Sequence, residues 1–327
     1  MTDRPSSSVL KYATRSAPPS DAVVSETAWL YYVRGLTQGE VAQAQNISRP
    51  TVAAYLKAAK ERGLIAIKLD PHHLRLNELS HALKTRFGVD AVHVLPANGL
   101  IGKELTQAVS EVGAHLLPGF FEPLDIVGVS WGETISLLAE VVPYWPQQNL
   151  KVIQLLGSMA NPLIMSSERC TSEIARRLGG TGINMNAPAV CSTKSVADSL
   201  RSEPIIAEQL AQLKHCNKAV FSVSTCDAEA HVVQFKVATP EDVSYYQSQG
   251  AVCNAVGRFL DADGHQVKGP LDDRLFAVEW DDFRVMQGFM VVSGLEKAQA
   301  TRAVLKGAKV SQLVLDDALA AAILALD

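Results

Sequence analysis

Thr37-Gln38-Gly39-Glu40-Val41-Ala42-Gln43-Ala44-Gln45-Asn46-Ile47-Ser48-Arg49-Pro50-Thr51-Val52 is the stretch whose reading decides the amino-terminal fold. Thr37 and Glu40 stand in the T-x-x-E spacing of a capping box, which opens a helix and carries it to Gln43 or Ala44. Gln45-Asn46-Ile47 is a tight turn, since Asn46 tolerates the left-handed backbone such a turn needs. Ser48 then caps a further helix whose first turn accepts Pro50, because the missing N–H has no partner there anyway. Upstream, Ser25-Glu26-Thr27-Ala28-Trp29-Leu30-Tyr31-Tyr32-Val33-Arg34 reads as a short helix ended by Gly35. Downstream, the helix begun at Ser48 runs to about Arg62, and Leu64–Leu69 alternates like a strand before Asp70-Pro71 breaks it. The pattern predicts helix, helix-turn-helix, wing.

In the helix after Ser48, Val52, Leu56 and Ala59 fall on one stripe and face a core. Arg49, Thr51, Tyr55, Lys57 and Lys60 are left for the other faces, the residue types that meet base edges and phosphates in a major groove. Arg49 is the candidate for bidentate reading of guanine. Ser48, Pro50, Thr51, Tyr55 and Lys57 complete that surface, and Thr37 and Gln38 sit where the preceding helix would approach the DNA backbone.

Charge points the same way. The chain has 30 Lys and Arg against 34 Asp and Glu, formally −4. Residues 1–69 hold nine basic against five acidic side chains, net +4, which leaves 21 against 29, net −8, for the rest. A basic end is the part to inspect for nucleic acid. Length predicts two folded units in 327 residues. No run of 18 apolar residues and no secretory leader is evident, so a membrane span and secretion are not expected and the cytoplasm is. Five cysteines, odd in number and without a CxxC pair, predict buried reduced thiols rather than disulfides or zinc.

Beyond the wing, Leu74–Phe87 is amphipathic, and apolar runs then alternate with helical patterns. The runs are Leu124–Val129, Leu150–Leu156, Ala219–Val223, Val252–Val256 and Met286–Val292; the helices include Leu100–Leu117, Glu133–Val142, Ser172–Leu178 and Leu295–Leu305. Apolar strands separated by helices imply a mostly parallel α/β sheet covered on both faces. The expected domains are a flexible tail over residues 1–20, a winged helix-turn-helix over 21–70, a bridging helix over 71–90 and an α/β effector domain over 91–327.

Gly128-Val129-Ser130-Trp131-Gly132-Glu133-Thr134 joins a strand to a helix. It fits the G-x-S-x-G elbow of serine hydrolases, but no Gly-rich oxyanion segment accompanies it, and His215, His231 and His265 have no suggestive setting. Its other chemistry is capture of an anion or of sugar oxygens by backbone N–H groups and the Ser130 and Thr134 hydroxyls at a helix start. A second glycine turn, Gly157-Ser158-Met159-Ala160-Asn161, closes another apolar strand, and both turns are expected to face one crevice. An enzyme would need a general base, and none stands out, since a carboxylate at a helix start such as Glu133 has its pKa lowered if anything.

The motifs Tyr31–Ala42, Ile47–Val52 and Arg62–Ile67 resemble the DNA-binding region of the SorC family of bacterial sugar-responsive transcriptional regulators. Gly128–Thr134, Gln154–Ser158, Ala187-Pro188-Ala189, Gly257–Gly264 and Glu296-Lys297-Ala298 are similar, in order, to that family's sugar-binding domain, and the resemblance spans roughly residues 25 to 325. It implies a fold shared with phosphosugar isomerases, no catalysis and no cofactor, double-stranded operator DNA and a small carbohydrate as partners, and a dimer of dimers. It also implies a ligand-facing Lys297 and a pocket drawing on Asn254, Phe259 and Asp261. Asn254 stands where the family more commonly has Asp, exchanging a charged acceptor for an amide. Asp261 and Asp263 most simply make an Asx turn.

Overall fold

A computed structural model describes residues 19–66, 71–146, 149–159 and 166–326. The chain divides into two compact units, residues 1–70 and 71–327.

Three helices build the first unit: α1 (Asp21–Tyr32), α2 (Gln38–Ala44) and α3 (Arg49–Glu61). The capping box forms as read. Glu40 N–H donates to Thr37 Oγ1 at 3.3 Å and Thr37 N–H to Glu40 Oε2 at 2.7 Å, holding the Glu40 carboxyl below its ordinary pKa. The turn places Asn46 at φ 55, and Ile47 N–H closes onto the Ala42 carbonyl at 2.9 Å. Ser48 Oγ accepts from Thr51 N–H at 3.2 Å and caps α3. Val24, Ala28, Val41, Ala42, Val52, Leu56 and Ala59 are the unit's buried core. α1 starts four residues before the Ser25 read from sequence, because Val24 belongs to the same buried face as Ala28. The tail read over 1–20 falls almost wholly outside the described residues. So does most of the wing strand, whose described residues Leu64–Ala66 form no strand.

The second unit begins with α4 (Pro71–Phe87), then β1 (Ala91–Leu95), α5 (Gly102–Leu116), β2 (Ile126–Val129), α6 (Glu133–Val141), β3 (Lys151–Gln154), α7 (Ser167–Arg177) and β4 (Thr181–Ile183). It continues with α8 (Lys194–Arg201), α9 (Pro204–Leu213), β5 (Lys218–Phe221), β6 (Ser224–Thr225), α10 (His231–Gln234), α11 (Pro240–Ser248), β7 (Cys253–Ala255) and β8 (Arg258–Leu260). It closes with α12 (Trp280–Phe283), β9 (Gln287–Val291), α13 (Ala298–Gly307), β10 (Val310–Asp316) and α14 (Asp317–Ala325). Seven strands pair in the order β1-β10-β9-β5-β2-β3-β4, all parallel.

The strand alternation explains both covers. Val220, Phe289, Val291 and Val314 join the core under α5, α6 and α7, whereas their neighbours Ala219, Phe221, Met290, Val292, Leu313 and Leu315 join the core on the opposite face. Period-2 alternation with both sets apolar is the mark of a doubly covered parallel sheet.

Two expectations change here. The helix read as bridging is α4, which lies in the second unit: Leu83 is fully buried in its core and Arg86 donates to the Leu324 and Leu326 carbonyls at 2.8 and 2.6 Å. Val252–Val256 is not a strand of the main sheet. Its core, β7, is the middle of a small antiparallel sheet, β6-β7-β8, because Gly257 at φ 86 turns the chain straight back into β8. All five cysteines are buried free thiols, and burial pushes Cys170 and Cys216 up to about 12.

Candidate functional site

β2 is the strand at which the order of the sheet reverses: β3 and β4 follow on one side, β5, β9 and β10 on the other. Open α/β sheets leave a crevice at the carboxyl ends of the strands at such a point. A cavity of about 370 Å³ lies there, lined from the ends of β2 (Ser130, Trp131, Gly132, Glu133, Thr134), β5 (Ser222, Val223) and β9 (Glu296, Lys297). The start of α5 contributes Lys103 and Thr106, the small sheet contributes Ser224 and Asn254, and the start of α10 contributes His231.

The turn after β2 is built for close approach. Gly132 has φ 108, a backbone state that disfavours any side chain, and it swings the chain from the strand into α6. Gly128 does not line the cavity; it is needed one layer lower, where a Cβ would strike the Leu155 side chain. Ser130 is buried, and its N–H donates to the Val220 carbonyl at 2.9 Å, tying the β2 turn to β5. Trp131 packs edge-on against Phe235, with ring centroids 5.5 Å apart. Among the described residues no hydrogen bond joins Ser130 to an imidazole, so no nucleophile–base pair is assembled there.

Electrostatically the cavity is mixed. Burial depresses the Lys297 pKa, and the carboxylates of Glu296, Glu133 and Asp316 oppose that shift. His231 is likewise depressed, first by burial and then by the Lys297 charge, with Glu133 opposing. Asn254 is only 4% exposed, and its Nδ2 has no hydrogen-bond partner within the protein. Ser222 Oγ is buried and unpartnered as well. Two orphaned polar atoms converging on one cavity mark a place where a polar ligand would satisfy them.

Several sequence candidates lie elsewhere. Gly157 and Ser158 do not share the crevice. Their N–H groups donate to the Phe276 and Ala187 carbonyls at 2.8 Å each, which directs the turn away from β2, and Ser158 lines a separate hollow beside Met159 and Pro188. Asn161 is outside the described residues. Phe259 is the cross-strand partner of Asn254, but its ring is buried and stacks on Tyr246 at 4.1 Å. Asp261 makes the Asx turn, accepting from Asp263 and His265 N–H at 2.9 Å each. His231, set aside on sequence grounds, lines the cavity. So do Glu296, beside Lys297 in its motif, and Ser222, together with Lys103 and Thr106, which no motif announces.

On the first unit, Thr37, Ser48, Arg49, Pro50 and Lys57 are exposed and Gln38, Thr51 and Tyr55 half-buried. Arg49 makes no ion pair among the described residues. The Ser48 and Thr51 hydroxyls bond each other at 2.7 Å, and Lys57 lies 3.7 Å from Glu61. Tyr55 packs partly against the unit's core, so only part of its side chain is offered outward.

These two units match known proteins. Residues 72–325 match the Sugar-bind family, a sugar-binding domain, and residues 34–66 match a winged helix-turn-helix DNA-binding family. The chain belongs to the SorC family of sugar-binding transcriptional regulators. Among its relatives, the transcriptional regulator YjhU of Escherichia coli is 31% identical over 96% of this chain and 98% of its own length. The erythritol catabolism regulatory protein EryD of Brucella abortus is 24% identical over 94% of this chain and 98% of its own. The full-length sorbitol operon regulator SorC of Klebsiella pneumoniae shares the fold, with a TM-score of 0.72 at 22% identity, covering 94% of this chain and all of that one. Like other members of the SorC family, this chain is a DNA-binding transcriptional regulator with a sugar-binding domain, not an enzyme. No described helix is long and apolar enough to cross a membrane.

Proposed function

We propose that α3 reads operator DNA through Arg49 and its neighbours, and that a small carbohydrate in the cavity at the ends of β2, β5 and β9 sets operator occupancy. The convergence of Ser130, Thr134, Asn254, His231 and Lys297 on one cavity supports this reading most directly, because it gathers hydroxyl, amide, imidazole and ammonium groups able to bind sugar oxygens from four separate parts of the chain. The protein acts in the cytoplasm, where its DNA is, and as an oligomer. One recognition helix touches too few base pairs for useful affinity, whereas symmetric copies read two half-sites and raise each other's effective concentration. By the family's pattern the assembly is a dimer of dimers. It represses when it occupies the operator, and the carbohydrate favours one arrangement of subunits over another. The shift it produces is limited to its difference in affinity for the two.

Arg49→Ala tests the DNA side. The expected loss is ~1–3 kcal/mol of operator affinity, with specificity relaxed at one base position, read by titrating labelled operator variants at fixed salt. Unchanged affinity across all variants would remove Arg49 from the readout. Circular dichroism should be unaltered, since the Arg49 side chain is exposed and supports no core contact.

A further inference from the structure

The charges around the cavity say more about the ligand than its size does. Six ionisable side chains other than His231 line it: Lys103 and Lys297 against Glu133, Asp227, Glu229 and Glu296. Lys103 is exposed at the rim, so Lys297 is the cation within, and the carboxylates of Glu296, Glu133 and Asp316 already surround it electrostatically. Among the described residues no arginine joins the lining.

The helix starts that face the cavity are also supplied with anions of their own. Glu133 is the first residue of α6. The Glu296 carboxylate folds back over Gly294, into the space that a Cβ at Gly294 would take, at the start of the turn leading into α13. Gly294 N–H itself donates to the buried Asp316 carboxylate at 2.9 Å. At the turn into α13 the Gly294 N–H is therefore already taken by a carboxylate of the chain, and α6 opens on an acidic residue, at the kind of place where helix starts commonly hold phosphate. A phosphate monoester brings a charge of about −1.5 to −2 at neutral pH, and placing it beside the half-buried Glu133 and Asp227 carboxylates, with the exposed Glu229 and Glu296 adding to the repulsion, is unfavourable. A hydroxyl has no such conflict. It donates to a carboxylate and accepts from an ammonium or amide at once, so vicinal hydroxyls suit a wall on which the two kinds of group are interleaved. Asn254 Nδ2, buried and without a partner, is a ready donor to one such oxygen.

We infer that the cavity selects an uncharged polyhydroxylated ligand, an unphosphorylated sugar or polyol, with Glu133 and Glu296 accepting from its hydroxyls and Asn254 donating to them. This rests on the reading of the cavity as the effector site. It assigns Glu133 and Glu296 a second role as the groups that exclude phosphate esters.

The test uses the full-length protein with matched pairs: glucose and glucose 6-phosphate, fructose and fructose 6-phosphate, ribose and ribose 5-phosphate, sorbitol and sorbitol 6-phosphate. Inorganic phosphate is added as a separate arm against chloride of equal ionic strength. The expected result is a rise in unfolding temperature with the unphosphorylated member of at least one pair. Its affinity should exceed that of its ester by about tenfold or more, and inorganic phosphate should give no shift. Substituting Glu133→Gln with Glu296→Gln should cut that preference by about tenfold while keeping the side chains nearly isosteric. A tighter ester, or stabilisation by inorganic phosphate that Lys297→Met removes, would overturn the inference and leave the carbohydrate reading standing. No shift with any member of any pair would overturn both.

Discussion

Ser130→Ala combined with Thr134→Ala abolishes the response of operator binding to carbohydrate and leaves ligand-free operator affinity within about twofold of the parent. Both hydroxyls line the cavity at the turn from β2 into α6, and neither residue belongs to the unit that carries α3. The backbone that shapes the turn survives the change: Ser130 N–H still reaches the Val220 carbonyl, and Thr134 O still accepts from Ser110 Oγ at 3.1 Å. What disappears is a pair of donors and acceptors, each worth about 0.5–1.5 kcal/mol to a ligand and more where the ligand's own polar group is left buried and unpaired. Fluorescence anisotropy of labelled operator, with and without the ligand found by thermal shift, reads the result. Simultaneous loss of DNA binding would mean that the turn holds the fold rather than the ligand.

Asp272→Ala destabilises the second unit by ~3–5 kcal/mol, because it strips the partner from a buried guanidinium. Arg258 is 2% exposed, and its Nη1 meets Asp272 Oδ1 at 2.9 Å. The same carboxylate accepts from Tyr246 Oη at 2.7 Å, Gln266 Nε2 at 2.8 Å and Gly269 N–H at 2.8 Å. Glu279 also reaches Arg258, at 3.0 Å, but its side chain is 67% exposed and solvent screens the replacement it offers. Four interactions therefore fail together, and they anchor β8, the strand paired with the one that presents Asn254. Urea unfolding followed by far-ultraviolet circular dichroism checks the loss. A change under about 1 kcal/mol would show that the network is not coupled as its geometry implies.

The helix-turn-helix is legible because its signals are local. Thr37, Glu40, Asn46 and Ser48 each act within four residues, and every one of those interactions forms. The parallel sheet is legible from apolar runs, yet β1, β4 and β10 do not stand out, since His93 and Gln312 interrupt the apolar pattern of two and β4 is three residues that open with Thr181 and Gly182. The small sheet is hard to tell from the main one in sequence. Apart from Asn254, Val252–Val256 is as apolar as a main-sheet strand, and only the Gly257 reversal says that it pairs antiparallel.

The cavity was half legible. Ser130 to Thr134 and Lys297 stand in recognisable motifs, whereas Lys103, Thr106, Ser222 and His231 arrive through the strand order, which no window of sequence contains. The shared crevice expected for the two glycine turns failed because neighbouring strands β2 and β3 can send their following loops apart. The Gly157 loop is drawn off by the Phe276 and Ala187 carbonyls.

The central claim is that one cavity in the second unit and the DNA-reading surface of the first are coupled. Linkage makes that claim quantitative: whatever factor a carbohydrate changes operator affinity by, operator must change carbohydrate affinity by the same factor. Isothermal titration of the ligand into free protein and into protein saturated with operator measures it directly. The account predicts two different dissociation constants whose ratio equals the change in operator affinity. Equal constants in the two titrations, for a ligand that binds tightly, would contradict it.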